Sequence, residues 1–179
     1  MDSRNRKMKN TELLIYSFYR FIVIKNKKSV KNTLDKYFIN KLIRGTILIA
    51  NEGINANISG TEKDLLQAIK LIRKLLKIRK INIKINKNDF LPFNRIKVRL
   101  KKEIVSLGKD EIDVNKFKGE LIHPSKWNKL IQQKDVKLID TRNIYEIKIG
   151  RFKGALDPKT NSFRKFPEKL KNIGIKKDD

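Results

Sequence analysis

The order in which strand-like and helix-like hydrophobic periods follow one another along residues 13–85 leaves this chain few folds. Residues 13–24 (LLIYSFYRFIVI) are apolar, aromatic and β-branched, the make-up of a buried strand. Residues 30–43 place Leu34, Tyr37, Phe38, Lys41 and Leu42 at helical spacing, and Gly45 is expected to end that helix. Residues 46–50 (TILIA) and 54–59 (INANIS) read as two strands joined through Asn51-Glu52-Gly53, a turn-forming tripeptide. Thr61 with Asp64 then fits a capping box and opens a helix with Leu65, Ile69, Ile72 and Leu76 on one face. Residues 81–85 (INIKI) alternate as a strand does. Strand, helix, strand, strand, helix, strand is the split βαβ order of an α+β ferredoxin-like domain, with both helices on one face of an antiparallel sheet.

Past the Pro92 turn, residues 95–107 (RIKVRLKKEIVSL) alternate Arg95, Lys97, Arg99 and Lys101 with Ile96, Val98 and Leu100. An extended strand would set four cations on one face and three aliphatics on the other. Residues 1–11 are polar and predict a disordered lead-in, and residues 108–120 are charged and predict a linker. From residue 121 the pattern changes. Pro124-Ser125 begins a short helix over Trp127, Leu130 and Ile131, with Pro just before the cap residue. Residues 136–139 (VKLI) predict a buried strand ending in Asp140-Thr141-Arg142. A loop with Glu146, Gly150 and Gly154 follows, and residues 163–170 are helical. Strand, loop, helix with polar residues at the strand end is the logic of a parallel α/β sheet. One such strand does not make a sheet, so residues 121–179 read as the first part of a domain.

Composition excludes several chemistries. There is no cysteine, so disulfides, thiolate metal sites and cysteine nucleophiles are all absent from these 179 residues. His123 is the only histidine; it precedes Pro124 and reads as structural, and no metal site is predicted. No cofactor motif is evident. No apolar run approaches a membrane span and no signal peptide is recognisable, so a cytoplasmic location is expected. The net charge is +25, from 44 basic and 19 acidic residues. Such a chain is drawn to polyanions. Abundant Lys, Ile and Asn also fit the residue usage of a genome poor in G and C, which would spread lysine over the whole surface.

Three stretches taken together resemble one family: residues 45–61 (GTILIANEGINANISGT), 95–108 (RIKVRLKKEIVSLG) and 139–166 (IDTRNIYEIKIGRFKGALDPKTNSFRKF). They are similar to the rhodanese-domain tRNA uridine hydroxylases. The resemblance runs from about residue 13 to about residue 172. It implies a ferredoxin-like (acylphosphatase-like) domain over residues 12–107 and a rhodanese-like domain over 121–179. It implies hydroxylation at carbon five of the wobble uridine of tRNA, with molecular oxygen as co-substrate. In the family a loop of the form C-T-G-G-I-R-C follows the helix that matches residues 163–170, and its backbone N–H groups stabilise a thiolate. Here that loop and its cysteines are absent, so the rhodanese-like part reads as incomplete and the chain as truncated before the catalytic loop. Ala56-Asn57 stand where Gly-Thr is more usual, and Leu121-Ile122-His123 replace Tyr-Leu-Ser.

The site residues follow. Asn51, Glu52 and Asn55 form an N-terminal polar cluster facing RNA or the rhodanese site; the plainer reading is a hairpin turn chosen for its geometry. The resemblance gives Asp140, Arg142 and Glu146 a role in bracing the missing loop. Arg95, Lys97, Arg99 and Lys101 are candidate phosphate contacts, against the plainer reading of a solvated edge strand. The leading expectation is a relative of a tRNA-modifying oxidoreductase that is inactive alone for want of the cysteine. The alternatives are a non-catalytic basic RNA-binding module and the remnant of an interrupted gene.

Overall fold

The computed structural model describes residues 12–105, 107–108, 119–171 and 173. The expected lead-in 1–11 and residues 109–118 of the expected linker lie outside them. The chain divides into two compact units, Met1–Ile104 and Val105–Asp179.

The first unit is an α+β sandwich of one sheet and two helices. Its elements are β1 (Leu13–Phe21), α1 (Lys27–Phe38), β2 (Arg44–Ala50), β3 (Gly53–Thr61), α2 (Glu62–Leu76), β4 (Lys84–Asn88) and β5 (Ile96–Leu100). The sheet order is β4-β1-β3-β2-β5, antiparallel throughout except that β5 runs parallel to β2. The first four strands keep the expected ferredoxin-like order, and β5 extends the sheet beyond β2.

Alternation along the strands sorts the side chains to two faces. Tyr16, Phe18, Ile47, Ile49, Ile54, Ala56 and Ile58 are buried against Leu34 and Phe38 of α1 and Leu65, Ala68, Ile69 and Ile72 of α2. Both helices of this unit therefore lie on one face, and the other face carries neither of them. Helix α2 starts where its sequence says it should, with the Thr61 hydroxyl accepting the Asp64 N–H at 3.2 Å and donating to its carboxylate at 3.0 Å. It stops at Lys77, which takes a left-handed φ of 53° so that the Ile78 N–H can reach the Arg73 carbonyl at 3.0 Å.

Several expectations shift. Helix α1 begins before residue 30, because the Asn26 side chain accepts the Ser29 N–H at 3.1 Å and caps it. It ends at Phe38, and Gly45 is not its terminator. Gly45 sits inside β2 at φ +131°, where a Cβ would lie 2.1 Å from the Asn57 carbonyl oxygen of β3. The fourth strand is Lys84–Asn88 rather than 81–85. Ile81 is buried and Ile83 partly so, and both pack in the core ahead of the ladder, which pairs Lys84 with Ser17 and Asn88 with Leu13. The fifth strand is five residues long, so Arg95 precedes it and Lys101 follows it.

The described residues of the second unit form α3 (Pro124–Ile131), α4 (Ile144–Ile147), a 3-10 turn (Phe163–Lys165), α5 (Phe166–Lys171) and one isolated parallel bridge, Ile139 to Leu156. Residues 136–139 are thus not a buried strand. With a single neighbour to pair with, they are exposed or half-buried, whereas parallel strands need covering on both faces. The cap of α3 is His123, not Ser125, with Pro124 in the first helical position. Its Nδ1 accepts the Ser125 N–H at 3.3 Å, a structural role as expected for this histidine.

Candidate functional site

In the second unit a cleft of about 380 Å3 is lined by Trp127, Leu138, Asp140, Arg142, Arg151 and Phe152, among others. Asp140 and Arg142 meet there in a two-pronged pair: Arg142 Nε donates to Oδ1 at 2.9 Å and a terminal nitrogen to Oδ2 at 2.6 Å. The same guanidinium donates to the Gly150 carbonyl at 2.7 Å, and the Arg142 N–H donates to Asp140 Oδ1 at 3.2 Å. Hydrogen bonds from Arg142, against an opposing push from burial, hold the Asp140 carboxyl below the usual aspartate range. The pair raises the Arg142 pKa in return.

Glu146 does not join this pair. Its carboxylate accepts the Asn143 N–H at 3.0 Å and the Asn143 side-chain N–H at 3.2 Å, closing the N-terminus of α4. Thr160, buried to 1% exposure, ties down the same loop: its hydroxyl donates to the Arg142 carbonyl at 3.4 Å and its carbonyl accepts the Ile144 N–H at 2.9 Å. Sequence reading missed Thr160, since nothing in a lone threonine 18 residues away signals the contact. It also missed the wall that Trp127 and Phe152 build, with ring centroids 5.5 Å apart. Arg142 spends its Nε and one terminal nitrogen within its own loop, so the cleft is a braced loop beside an aromatic wall. Among the described residues no group of three or more His, Cys, Asp or Glu converges to hold a metal.

The brace has a pH signature. A carboxyl whose folded pKa is depressed stabilises the fold above its unfolded pKa of about 3.9, and that gain fades as pH falls through the folded value. Arg142 is 43% exposed, so screening limits the gain to about 1 kcal/mol at pH 6. Asp140→Asn should cost no more than that at pH 6 and less at pH 2, where the carboxylate is being protonated. Denaturant titrations followed by fluorescence of Trp127, the one tryptophan, would read it. A loss that is the same at both pH values would refute the account.

In the first unit, Asn51-Glu52 form a two-residue turn between the paired Ala50 and Gly53. Glu52 Oε1 accepts the Ile104 N–H at 2.6 Å, and the Asn55 side-chain N–H donates to the Ile104 carbonyl at 3.4 Å. Both side chains grip the segment that follows β5. Asn51 contributes its backbone carbonyl, which accepts the Ile24 N–H at 2.8 Å. Of the basic stripe, Lys97 and Arg99 lie within β5 on the helix-free face, while Arg95 and Lys101 flank the strand, both exposed.

The described residues include no helix long and apolar enough to cross a membrane. The family described as the UPF0176 acylphosphatase like domain matches residues 13–104. A tRNA uridine(34) hydroxylase of Rickettsia massiliae (strain Mtu5) is 42% identical over 158 residues, 88% of this chain and 64% of that protein. One of the same name from Prochlorococcus marinus (strain NATL2A) is 42% identical over 166 residues, 92% of this chain and 52% of that protein. The chain thus spans between half and two-thirds of the length of these relatives. Among solved structures, a BLUF protein in its dark state aligns over 54% of this chain and 79% of that one, at 15% identity and a TM-score of 0.44. With its first unit matched from β1 through Ile104, the chain belongs to the UPF0176 family, through that family's acylphosphatase-like domain.

Proposed function

We propose that this chain serves in hydroxylation of the tRNA wobble uridine at carbon five, with molecular oxygen as co-substrate and a cytoplasmic setting. The observation that carries the reading is the 42% identity to tRNA uridine(34) hydroxylases over 88% and 92% of the chain. In this reading residues 121–179 belong to a rhodanese-like α/β domain. Asp140, Arg142 and Glu146 are positioning residues that stiffen the loop beside the cleft. Their geometry supports that role, because each is spent on a hydrogen bond within its own loop. Asn51, Glu52 and Asn55 hold the end of the first unit, and the cationic strand meets RNA. No cysteine occurs in the 179 residues, so in this reading they are inactive without an external thiolate of the kind the resemblance calls for.

The expected result is tRNA binding without turnover. A tRNA with a wobble uridine should bind the chain with a log–log salt slope of several units. Mass spectrometry of that tRNA after incubation should find no 5-hydroxyuridine. Affinity that does not change between low and moderate salt would sink the RNA reading, and turnover by the chain alone would sink the need for an external thiolate.

A further inference from the structure

The helix-free face of the first sheet holds two adjacent cross-strand rows fixed by the register. One runs Lys84 (β4), Ser17 (β1), Asn57 (β3), Thr46 (β2), Lys97 (β5). The next runs Tyr19 (β1), Asn55 (β3), Leu48 (β2), Arg99 (β5). With strands about 4.8 Å apart, the five-strand row is about 19 Å wide. Neither row contains a carboxylate. No carboxylate among the described residues pairs with Lys84, Lys97 or Arg99. Tyr19 is 60% exposed, and its ring is propped edge-on by Phe21, with centroids 5.9 Å apart. A sheet face that carries no helix normally buries its aromatics or replaces them with polar residues. This one keeps a ring open between amides and cations.

We propose that this face is a binding platform for single-stranded RNA. An unpaired base stacks on Tyr19, Asn57 meets a base edge, and Lys84, Lys97 and Arg99 take phosphates on either side. Stacking on a ring needs a base that is out of its helix, so a duplex cannot use Tyr19. The platform deepens the tRNA reading and rests on it only for the identity of the natural RNA, whose wobble position lies in an unpaired loop. Charge alone would favour another surface: Lys70, Arg73 and Lys74 of α2, with Lys77 at its cap, line a groove of their own. That groove offers cations and no ring, which makes it the right comparison.

The test is fluorescence anisotropy of a labelled seven-nucleotide uridine-rich RNA with the full 179-residue chain, against a duplex RNA of equal length. Tyr19→Ala should weaken the single strand about tenfold or more and leave its salt slope unchanged, while Tyr19→Phe should bind like the parent. Lys97→Ala with Arg99→Ala should lower the slope by about 1.4, two phosphates at about 0.7 each. Lys70→Ala with Lys74→Ala, and Tyr145→Ala on the second unit, should change affinity less than twofold. The platform is overturned if Tyr19→Ala binds like the parent, if the duplex shows the same loss, or if the α2 pair matters as much as Lys97 and Arg99. If tRNA binds and Tyr19→Ala is silent, the platform falls and the proposed function stands. If the oligonucleotide binds through Tyr19 and no tRNA is bound in preference to other RNA, the platform stands and the tRNA reading falls.

Discussion

Gly45→Ala should cost the first unit about 3 kcal/mol or more, from left-handed backbone strain and overpacking together. Gly45 lies between two paired strands, opposite Ile58 of β3 and Ile96 of β5. Its φ of +131° is open to glycine and strained for any other residue. The added Cβ would sit 2.1 Å from the Asn57 carbonyl oxygen and 2.8 Å from the Ile58 Cα. Both are backbone atoms of the neighbouring strand, so no side chain can swing aside to relieve the clash. The ladder itself must open. For a domain of this size the expected fall in Tm is about 12 °C or more, read by far-UV circular dichroism. Gly119→Ala is the control, because nothing lies within 4 Å of its Cβ. A Gly45→Ala protein that melts within two or three degrees of its parent would show that β2 and β3 pair differently.

Glu52→Ala should cost about 2 kcal/mol, because it removes the charged acceptor of a short hydrogen bond and leaves an N–H without a partner. Ile104 is 4% exposed, and its side chain packs so closely over Gly53 that a Cβ there would lie 3.0 Å from Cδ1. Glu52 holds the backbone of that residue from the far side of the turn. Glu52→Gln keeps an oxygen acceptor in place and should lose less than half as much. Urea unfolding gives the stability, and hydrogen exchange at the Ile104 amide gives the local effect, expected to quicken at least tenfold in Glu52→Ala. If that amide stays equally protected, Glu52 does not clamp Ile104 and is free for another task. The stability ranking of Ala below Gln below Glu is what a clamp predicts.

These two positions divide what was legible from what was not. Glu52 drew notice through its motif, yet the sequence suggested a polar cluster facing RNA or the rhodanese site, or a bare turn. Its partner is an N–H 52 residues away, and no local pattern encodes a partner at that distance. Gly45 was expected to stop a helix, because a glycine after an amphipathic run usually does. Its actual constraint comes from strands on both sides. In the second unit Asp140 and Arg142 are two residues apart, and so their pairing was within reach of the sequence. Glu146 was grouped with them, but three residues from Asn143 it closes a helix start instead. The strand expected at 136–139 reduced to one bridge, because an apolar run becomes a strand only when neighbours supply its hydrogen bonds.

By itself the sequence determined the order of elements in the first unit, the start of α2 and the charge. These depend on contacts within one turn of helix, on side-chain alternation, or on composition alone. Only the tertiary structure decided which residues share a surface. The register of β1, β3, β2 and β5 brings Tyr19 and Arg99 into one row although 80 positions separate them. A slip of one residue in any of these pairings would turn that strand's side chains to the other face, and the sequence does not state the register. It is set by packing of the buried face against two helices, which the order of elements foretells but does not place.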